Sequence, residues 1–398
     1  MNITYVATSY PPAIGGAQLY LHEIVGRMAT RHQVRVVTQW AENRTDWLLG
    51  TTLRAPETAI SYELDGVPVQ QITLTSHERR ALLPWIVSYY AFQGAAIDRI
   101  SEILADKLEP LVLKADIIHN VRIGREPLSY AALKIARERG VPLVFTPLHH
   151  PRWGTWFHRH YQALYRRADV LIALTEAEKR QLAALGVDER RIHVTGVGPI
   201  LAPNADPERF LAKHNIRGPV ILFIGQKYRY KNFALLLQAA SHVWHTYPDA
   251  HFVFIGPRTA YSHRVFKGYY HDPRVLELPI VTLGEKTDAL AACDIFCMPS
   301  TQESFGGVFV EAWSLGKPVI GGDAPAVREV IDEGIDGLVV PPNSTILAKS
   351  ITMLLSDAKA RIEMGEKGQR KVQSRFTWQL LASRMEMIYR ETLSGKRL

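Results

Sequence analysis

Short apolar runs alternate with amphipathic stretches along the whole chain. The first run, Ile3 to Thr8, is followed by a Pro/Gly-rich loop ending at Gly16 and then by apolar residues at helical spacing. This alternation is typical of parallel strands that are buried on both faces and joined by helices. The same pattern predicts further strands over 34–38, 117–119, 143–146, 170–174, 220–225, 252–256, 295–298, 318–320 and 337–340. The chain is therefore predicted to be an α/β protein.

The strands fall into two series, which predicts two domains. The stretch from Thr195 to Pro219 is rich in Gly and Pro and is the predicted linker. We place an N-terminal domain at 1–199 and a C-terminal domain at 200–375. Apolar residues recur at helical spacing after Thr377. They predict a terminal helix, about 376–398, that returns to the first domain.

Composition and charge narrow the class of protein. With 47% apolar and 22% charged residues, the 398-residue chain is neither disordered nor a disulfide scaffold. The net charge of +8 is spread over both halves, which suits a phosphate-bearing ligand or an anionic membrane and not a nucleic-acid arm. Cys293 and Cys297 lie in a predicted buried strand as core thiols. No apolar run reaches the ~20 residues of a membrane span, so we expect a cytoplasmic protein, with peripheral contact at the inner membrane face left open.

The window 299–313 carries the strongest candidate chemistry. Gly306 and Gly307 precede a helical pattern, so Glu303 is predicted in a loop and Glu311 in the first turns of a helix. The N–H groups and dipole of a helix N-terminus bind a diphosphate, and carboxylates accept hydrogen bonds from adjacent hydroxyls of a ribose or a sugar. The alternative is that both acids only complement the helix dipole.

Several motifs together resemble one family. They are Ser300 to Gly306, the Glu303 and Glu311 pair, 316–320, 323–331, 337–341, 174–178 and the loop ending in Gly15-Gly16. This set resembles the GT4 family of retaining glycosyltransferases, along essentially the whole chain. The resemblance implies the GT-B fold, with two Rossmann-like, doubly wound domains facing a central cleft. It also implies transfer of a hexosyl group from a nucleoside-diphosphate sugar without a bound metal.

The resemblance also implies roles for individual residues. Glu311 would hold the nucleotide ribose, Glu303 with the backbone of Phe305 and Gly306 would hold the donor sugar, and Gly16 would lie close to the diphosphate. The predicted donor-binding residues are Gly15, Gly16, Gln226, Lys227, Ser304, Phe305, Gly306, Gly307, Val308 and Glu311.

One position departs from the family pattern. An Arg and a Lys after a Gly-ending strand neutralise the diphosphate in this family. Here Lys231 fits the Lys position, whereas Gln226 stands at the Arg position. A neutral amide lacks the charge and fork geometry of a guanidinium. Lys227 and Arg229 are the candidates for compensation, and a solvated loop cation is the alternative for each.

A second group of candidates lies in the N-terminal half. His149 and His150 follow the 143–146 strand, where family members carry a His that faces the reacting sugar; a structural His is the alternative. The predicted catalytic residues are therefore Glu303, Lys231, His149 and His150. No carboxylate occurs between Glu138 and Asp169, which favours an anionic acceptor or a membrane near this stretch, against a solvated helix face. The residues assigned to that side are Arg152, Arg159, Arg166 and Arg167.

The family resemblance, together with these observations, implies a transferase of polysaccharide or glycolipid biosynthesis. It would move a sugar to a hydroxyl of a glycan, lipid-linked or small-molecule acceptor. No Asp-x-Asp pair is present to hold a divalent cation, so no metal and no cofactor are expected. Two alternatives remain: a nucleotide-sugar epimerase on the same fold, and a binding protein that lost turnover, which the Gln226 departure motivates.

Overall fold

The chain forms two compact α/β units. A computed structural model describes residues 1–13, 15–40, 48–122, 125–149 and 156–395. The first unit comprises Met1–Gly196 and Trp378–Leu398, and the second comprises Val197–Thr377. The chain therefore leaves the first unit once and returns to it for its last helix.

The first unit contains an eight-stranded sheet. Its strands are β1 (Asn2–Ser9), β2 (Gln33–Trp40), β3 (Ile60–Leu64), β4 (Val67–Gln71), β5 (Ile117–Val121), β6 (Leu143–Thr146), β7 (Val170–Ala173) and β8 (Ile192–Val194). Their order across the sheet is β3-β4-β2-β1-β5-β6-β7-β8, and only the β3–β4 pair is antiparallel. All residues of β5, β6 and β7 are buried, as expected for parallel strands covered on both faces.

Eight helices belong to the described part of the first unit. They are α1 (Gly16–Ala29), α2 (Leu48–Arg54), α3 (Ser76–Val87), α4 (Gln93–Leu108), α5 (Glu126–Arg139), α6 (Arg159–Arg167), α7 (Glu176–Ala184) and α16 (Trp378–Ser394). A core of aliphatic and aromatic side chains from α3, α4, α5 and α6 packs with those of β5 to β7. This packing buries the apolar stripes that the sequence pattern predicts.

The antiparallel edge of the sheet was not predicted. Strands β3 and β4 are joined by Asp65 and Gly66, whose φ angles are 50° and 76°. An Asp-Gly pair with both residues at positive φ is the favoured two-residue turn of a hairpin. The dipeptide was therefore a usable signal, but β3 is largely exposed, β4 buries only alternate residues, and neither strand shows an apolar run.

Helix α16 is fixed to the first sheet by a buried chain of hydrogen bonds. The Tyr389 hydroxyl lies 3.0 Å from the Tyr5 hydroxyl and 2.5 Å from His119 Nδ1. His119 Nε2 lies in turn 2.7 Å from Thr146 Oγ1. Burial lowers the pKa of His119 to about 3, so its ring is neutral and provides one donor and one acceptor. The terminal helix is therefore an integral part of the first unit.

The second unit contains six parallel strands. They are β9 (Val220–Ile224), β10 (His251–Ile255), β11 (Val275–Leu278), β12 (Ile295–Met298), β13 (Val319–Gly322) and β14 (Gly337–Val340). Their order is β11-β10-β9-β12-β13-β14, a doubly wound sheet whose strand order reverses between β9 and β12. Ligands of such sheets bind beyond the carboxyl ends of the strands at this reversal. The two parallel-sheet α/β units confirm the predicted fold class.

Eight helices belong to the second unit. They are α8 (Pro207–Lys213), α9 (Phe233–Val243), α10 (Ala260–Phe266), α11 (Leu283–Ala292), α12 (Gly307–Ser314), α13 (Pro325–Val330), α14 (Ser344–Ser356) and α15 (Ala358–Lys371). Helix α15 approaches α12 so closely that a Cβ at Gly368 would lie 2.0 Å from the Trp313 ring. The Trp313 indole N–H donates to the carbonyl of Asp336 at 2.7 Å. The C-terminal end of α12 is thus held firmly in the unit.

Candidate functional site

The loop from β12 into α12 presents a helix N-terminus at the reversal point. Gly306 caps α12 with φ 89°, and a Cβ there would lie 2.6 Å from the Phe309 ring. Only glycine fits both the backbone conformation and this contact. The first N–H groups of a helix have no partner inside it. The loop therefore directs backbone donors and the positive end of the α12 dipole to a position that suits an anion.

A second loop, after β9, is joined to the first by hydrogen bonds to backbone carbonyls. The carbonyl of Tyr230 accepts from the N–H of Thr301 at 2.9 Å and from the Ser300 hydroxyl at 3.2 Å. Asn232, at φ 53°, donates its amide to the carbonyl of Pro299 at 2.9 Å. These bonds fix the loops that follow the two strands on either side of the reversal.

Lys231 and Glu303 form an ion pair where these loops meet. The distance from Lys231 Nζ to Glu303 Oε1 is 2.5 Å, and the side chains are 16% and 9% exposed. A partly buried pair is screened by solvent less than a surface pair. The structure thus places one cation and one carboxylate of the predicted catalytic set side by side, next to the N-terminus of α12.

Glu311 is buried in α12 and makes an ion pair that the sequence did not predict. Its Oε1 accepts from Lys286 Nζ of α11 at 2.8 Å, and Lys286 also donates to the carbonyl of Ile200 at 2.8 Å. Within the described residues, the buried Oε2 of Glu311 has no hydrogen-bond partner. Burial raises the pKa of Glu311, and Lys286 together with the backbone N–H of Ile200 opposes that shift. An unpaired buried carboxylate oxygen is costly, so this atom is available to a ligand hydroxyl.

Lys227 does not have the predicted placement. Its ammonium group is fully buried, donates to the carbonyls of Gly256 at 2.7 Å and Leu278 at 2.9 Å, and lies 3.3 Å from Glu277 Oε1. Burial lowers the pKa of Lys227. The group is used to join the carboxyl ends of β10 and β11, so its assignment to donor binding is corrected to strand packing. A lysine in a turn-rich loop is usually exposed to solvent. The carbonyls that bind Lys227 belong to distant segments, so no local sequence pattern indicates them.

The other predicted residues of the second unit lie in the same two loops. Gln226 and Arg229 are exposed, and the Arg229 guanidinium lies 5.1 Å from the centre of the Tyr261 ring. The Phe305 side chain is buried edge-on against Phe376, and its backbone forms part of the loop that precedes α12. Ser304, Gly307 and Val308 are half-buried around the start of α12.

In the first unit, His149 is buried after β6. Its backbone N–H donates to Glu178 Oε1 at 2.6 Å, and its Nδ1 lies 3.3 Å from the Tyr165 hydroxyl. Arg122, which follows β5, donates to the same hydroxyl at 3.1 Å. Gly15 and Gly16 begin α1 after the β1 loop. His150 and Arg152 lie outside the described residues. Sequence reasoning missed Arg122 and gave Glu178 no role, because neither contact is local in sequence.

The predicted arginine patch is divided by helix α6. Arg159 lies at its start, with its guanidinium 3.6 Å from the Trp156 ring centre. Arg166 and Arg167 lie at its end, where Arg166 donates to the carbonyl of Leu185 at 2.9 Å. Helix α6 leads from the carboxyl end of β6 to the start of β7, so these arginines lie at opposite edges of the sheet.

Two further features concern metals and membranes. In the described ranges, no cluster of three or more His, Cys, Asp or Glu side chains is arranged to hold a metal ion. None of the helices described is both long enough and apolar enough to cross a membrane.

Comparison with known proteins identifies similar sequences for both units. Residues 206–371 match the family described as "Glycosyl transferases group 1", and residues 15–198 match the "Glycosyl transferase 4-like domain". A D-inositol 3-phosphate glycosyltransferase of Corynebacterium urealyticum is 29% identical over 260 residues, 58% of either chain. The match thus spans less than two thirds of that relative. A phosphatidyl-myo-inositol mannosyltransferase of Mycobacterium tuberculosis is 28% identical over 302 residues, 70% of this chain and 74% of the relative.

Solved structures share the fold. The Anabaena protein HepE in complex with UDP aligns with a TM-score of 0.75 and 19% identity, covering 99% of this chain and 100% of that one. Sucrose-phosphate synthase of Thermosynechococcus elongatus aligns with a TM-score of 0.76 and 17% identity over 100% of both chains. At these identities the likeness concerns the fold.

Proposed function

This chain belongs to the GT4-type glycosyltransferases of the group 1 class, and from that premise we propose that it moves a sugar from a nucleoside-diphosphate sugar to an acceptor hydroxyl with retention of anomeric configuration. The observation that carries the proposal is the Lys231–Glu303 pair at the strand-order reversal, next to the N-terminus of α12. A cation, a carboxylate and free N–H groups at one point are what a diphosphate-linked sugar requires.

Each donor group has a partner of matching chemistry in the second unit. We assign the nucleotide ribose to Glu311, whose Oε2 can accept from a ribose hydroxyl while Oε1 keeps its bond to Lys286. The donor sugar is assigned to Glu303 with the backbone of Phe305 and Gly306. The diphosphate is assigned to Lys231 and the first N–H groups of α12, with Arg229 in place of the missing family Arg.

Catalysis would be mainly electrostatic. The bond between the anomeric carbon and the diphosphate oxygen breaks, and negative charge develops on the departing diphosphate. Lys231 and the α12 N–H groups stabilise that charge without reorganising. The acceptor oxygen bonds to the anomeric carbon on the same face, and its proton passes to the leaving phosphate oxygen. We assign His149 to the reacting sugar, and no metal is needed in this scheme.

A proton NMR time course tests this proposal directly. Donor alone should change slowly or not at all, whereas donor with acceptor should give a product whose anomeric coupling matches that of the donor. An inverted product would contradict retention. Conversion of the donor without any acceptor would support the epimerase alternative, which the transferase relatives named above do not favour. Candidate donors are selected first by thermal shift with UDP- and GDP-sugars.

The first unit offers a surface for an acceptor carried in an anionic membrane. Val87, Tyr90 and Phe92, at the turn from α3 to α4, are 73%, 59% and 64% exposed, and Trp156 is 65% exposed. The three residues of this turn are called the apolar tip. Arg125 follows β5 and donates to the Tyr90 hydroxyl at 2.6 Å, which places the tip at the carboxyl edge of the sheet.

The charges around the apolar tip are complementary to anionic lipid. Residues 79–97 and 139–168 contain no carboxylate, Arg125 contacts the tip through Tyr90, and the Arg159 guanidinium lies 3.6 Å from the ring centre of the exposed Trp156. Arg80 and Val87 are seven residues apart and share one face of α3. Exposed aromatic groups beside arginines are typical of proteins that lie in a membrane interface. We therefore assign the occupant of the tip as an anionic bilayer.

Vesicle flotation tests the membrane assignment. The protein should float with vesicles of phosphatidylcholine and phosphatidylglycerol, less in high salt, and not with phosphatidylcholine alone. The double variant Val87→Ser/Phe92→Ser should bind at least about tenfold more weakly, because two apolar side chains no longer enter the interface. The matched control is Met353→Ser/Ile362→Ser, an exposed apolar pair in the second unit. Equal vesicle binding by the two variants would contradict the assignment. So would a wild-type dimer that only Val87→Ser/Phe92→Ser dissociates, because the exposed residues would then form a contact between copies of this chain.

A further inference from the structure

The carboxylate of Glu178 joins two strand ends of the first unit. Glu178 lies in the first turn of α7 and is 2% exposed. Its Oε1 accepts from the N–H of His149 at 2.6 Å and its Oε2 from the N–H of Leu174 at 2.7 Å. These N–H groups belong to the segments that follow β6 and β7. One buried side chain therefore sets the separation of two neighbouring loops.

The loop after β6 needs such a restraint. Leu148 has φ 47°, in the left-handed region that a residue with a side chain adopts only at an energetic cost. The next peptide N–H is the one that Glu178 binds. Strained backbone conformations persist where surrounding contacts enforce them, and they cluster at functional sites. The bond from His149 to Glu178 is the contact that enforces this one.

The ring of His149 is held from a different direction. Arg122 can only donate, so the Tyr165 hydroxyl accepts its bond and can give its own hydrogen to His149 Nδ1. That arrangement leaves the ring hydrogen on Nε2. The His149 and Tyr165 rings meet edge to face at 88°. Glu178 thus fixes the backbone of His149, and Tyr165 fixes its ring.

We propose that Glu178 is a positioning residue that holds His149 for sugar transfer and must be ionised to do so. An ionised carboxylate accepts at both oxygens, whereas a protonated one turns an acceptor into a donor and loses one of the two N–H bonds. The inference rests on the role proposed above for His149.

The surroundings of Glu178 make its ionisation sensitive to pH. The groups that face it are Arg122 after β5, His149 after β6, Tyr165 of α6 and Tyr20 of α1, with Thr175 capping its own helix. Burial raises the pKa of Glu178 to about 7, against the two backbone N–H groups and Arg122, which lower it. Below that pH the carboxyl is protonated, so the rate of transfer should fall as the pH is lowered through this value.

The variant Glu178→Gln tests the inference, because glutamine resembles the protonated acid. Measured as nucleotide release with acceptor present, its kcat above pH 7 should fall roughly 10- to 100-fold, with the KM for the donor little changed. Its rate should also lose the acidic limb of the wild-type profile. The matched control is Glu176→Gln, an exposed acid two residues earlier in the same helix, which should retain the wild-type profile.

The outcomes separate this inference from the proposed function. If Glu178→Gln lowers the melting temperature but leaves kcat and the pH profile unchanged, Glu178 is structural and the inference is wrong. If His149→Ala has wild-type kcat, the proposed role of His149 fails first. Should Glu178→Gln not fold, the wild-type enzyme and Tyr165→Phe remain informative: both should keep the acidic limb, and its absence in wild type overturns the inference.

Discussion

Replacing Glu311 by alanine is expected to weaken the binding of a nucleoside diphosphate by about 30- to 1,000-fold. One or two hydrogen bonds to a charged acceptor, worth about 1.5–3 kcal/mol each, are lost with the carboxylate, and we take their combined loss as about 2–4 kcal/mol. The variant also removes the carboxylate partner of Lys286, whose ammonium group keeps its bond to the carbonyl of Ile200. Isothermal titration with UDP and with GDP measures the change for whichever nucleotide the wild-type protein binds.

A control separates ribose binding from a general loss of fold. Glu363→Ala removes an exposed carboxylate of α15 in the same unit and should leave nucleotide affinity unchanged. Lys286→Met should weaken binding less than Glu311→Ala, since it removes the partner of Oε1 and keeps the carboxylate. If Glu311→Ala binds nucleotide as tightly as wild type, the carboxylate does not contact the ribose.

Replacing Lys231 by methionine should act on the rate and not mainly on nucleotide affinity. Removing one group that stabilises developing negative charge typically lowers kcat by about 100- to 1,000-fold. Methionine keeps most of the stem, so the change is chiefly the loss of the ammonium group beside Glu303. Steady-state kinetics with saturating acceptor, together with the nucleotide dissociation constant, distinguish the two effects.

Two further variants serve as controls for Lys231→Met. Lys231→Arg keeps the charge and should recover part of the rate, although its planar fork differs from an ammonium group. Lys359→Met, an exposed lysine of α15, should have wild-type kinetics. A Lys231→Met protein that binds nucleotide poorly and turns over normally at saturation would assign Lys231 to ground-state binding instead.

The fold could be predicted from the sequence because apolar runs make up the buried strands. Strands β9 and β12 are continuous apolar runs that are wholly buried, so composition and length were enough to predict them. The placement of Glu303 in a loop and Glu311 in a helix followed from Gly306 and Gly307. Strand β11 was missed because its residues are only half-buried and its single acid, Glu277, interrupts the run.

The contacts of the candidate site were less predictable, because they depend on residues distant in sequence. Lys231 and Glu303 are 72 residues apart and meet only when β9 and β12 lie side by side. Lys227 illustrates the reverse error, since its loop position suggested solvent but its ammonium group reaches carbonyls at the ends of two other strands. The sequence shows which type of side chain follows a strand. The order of the strands in the sheet determines which other side chain or carbonyl it contacts.

The bond of Tyr389 to Tyr5 and His119 has a consequence for synthesis of the protein. A ribosome completes every element of the second unit, up to Thr377, before it produces α16. The first unit is begun earlier but lacks the Tyr389 hydroxyl that completes its buried chain of hydrogen bonds until α16 emerges. The second unit, although made later, is therefore the first to have all of its elements, and a nascent chain stalled before Trp378 would lack the hydroxyl that bonds Tyr5 and His119.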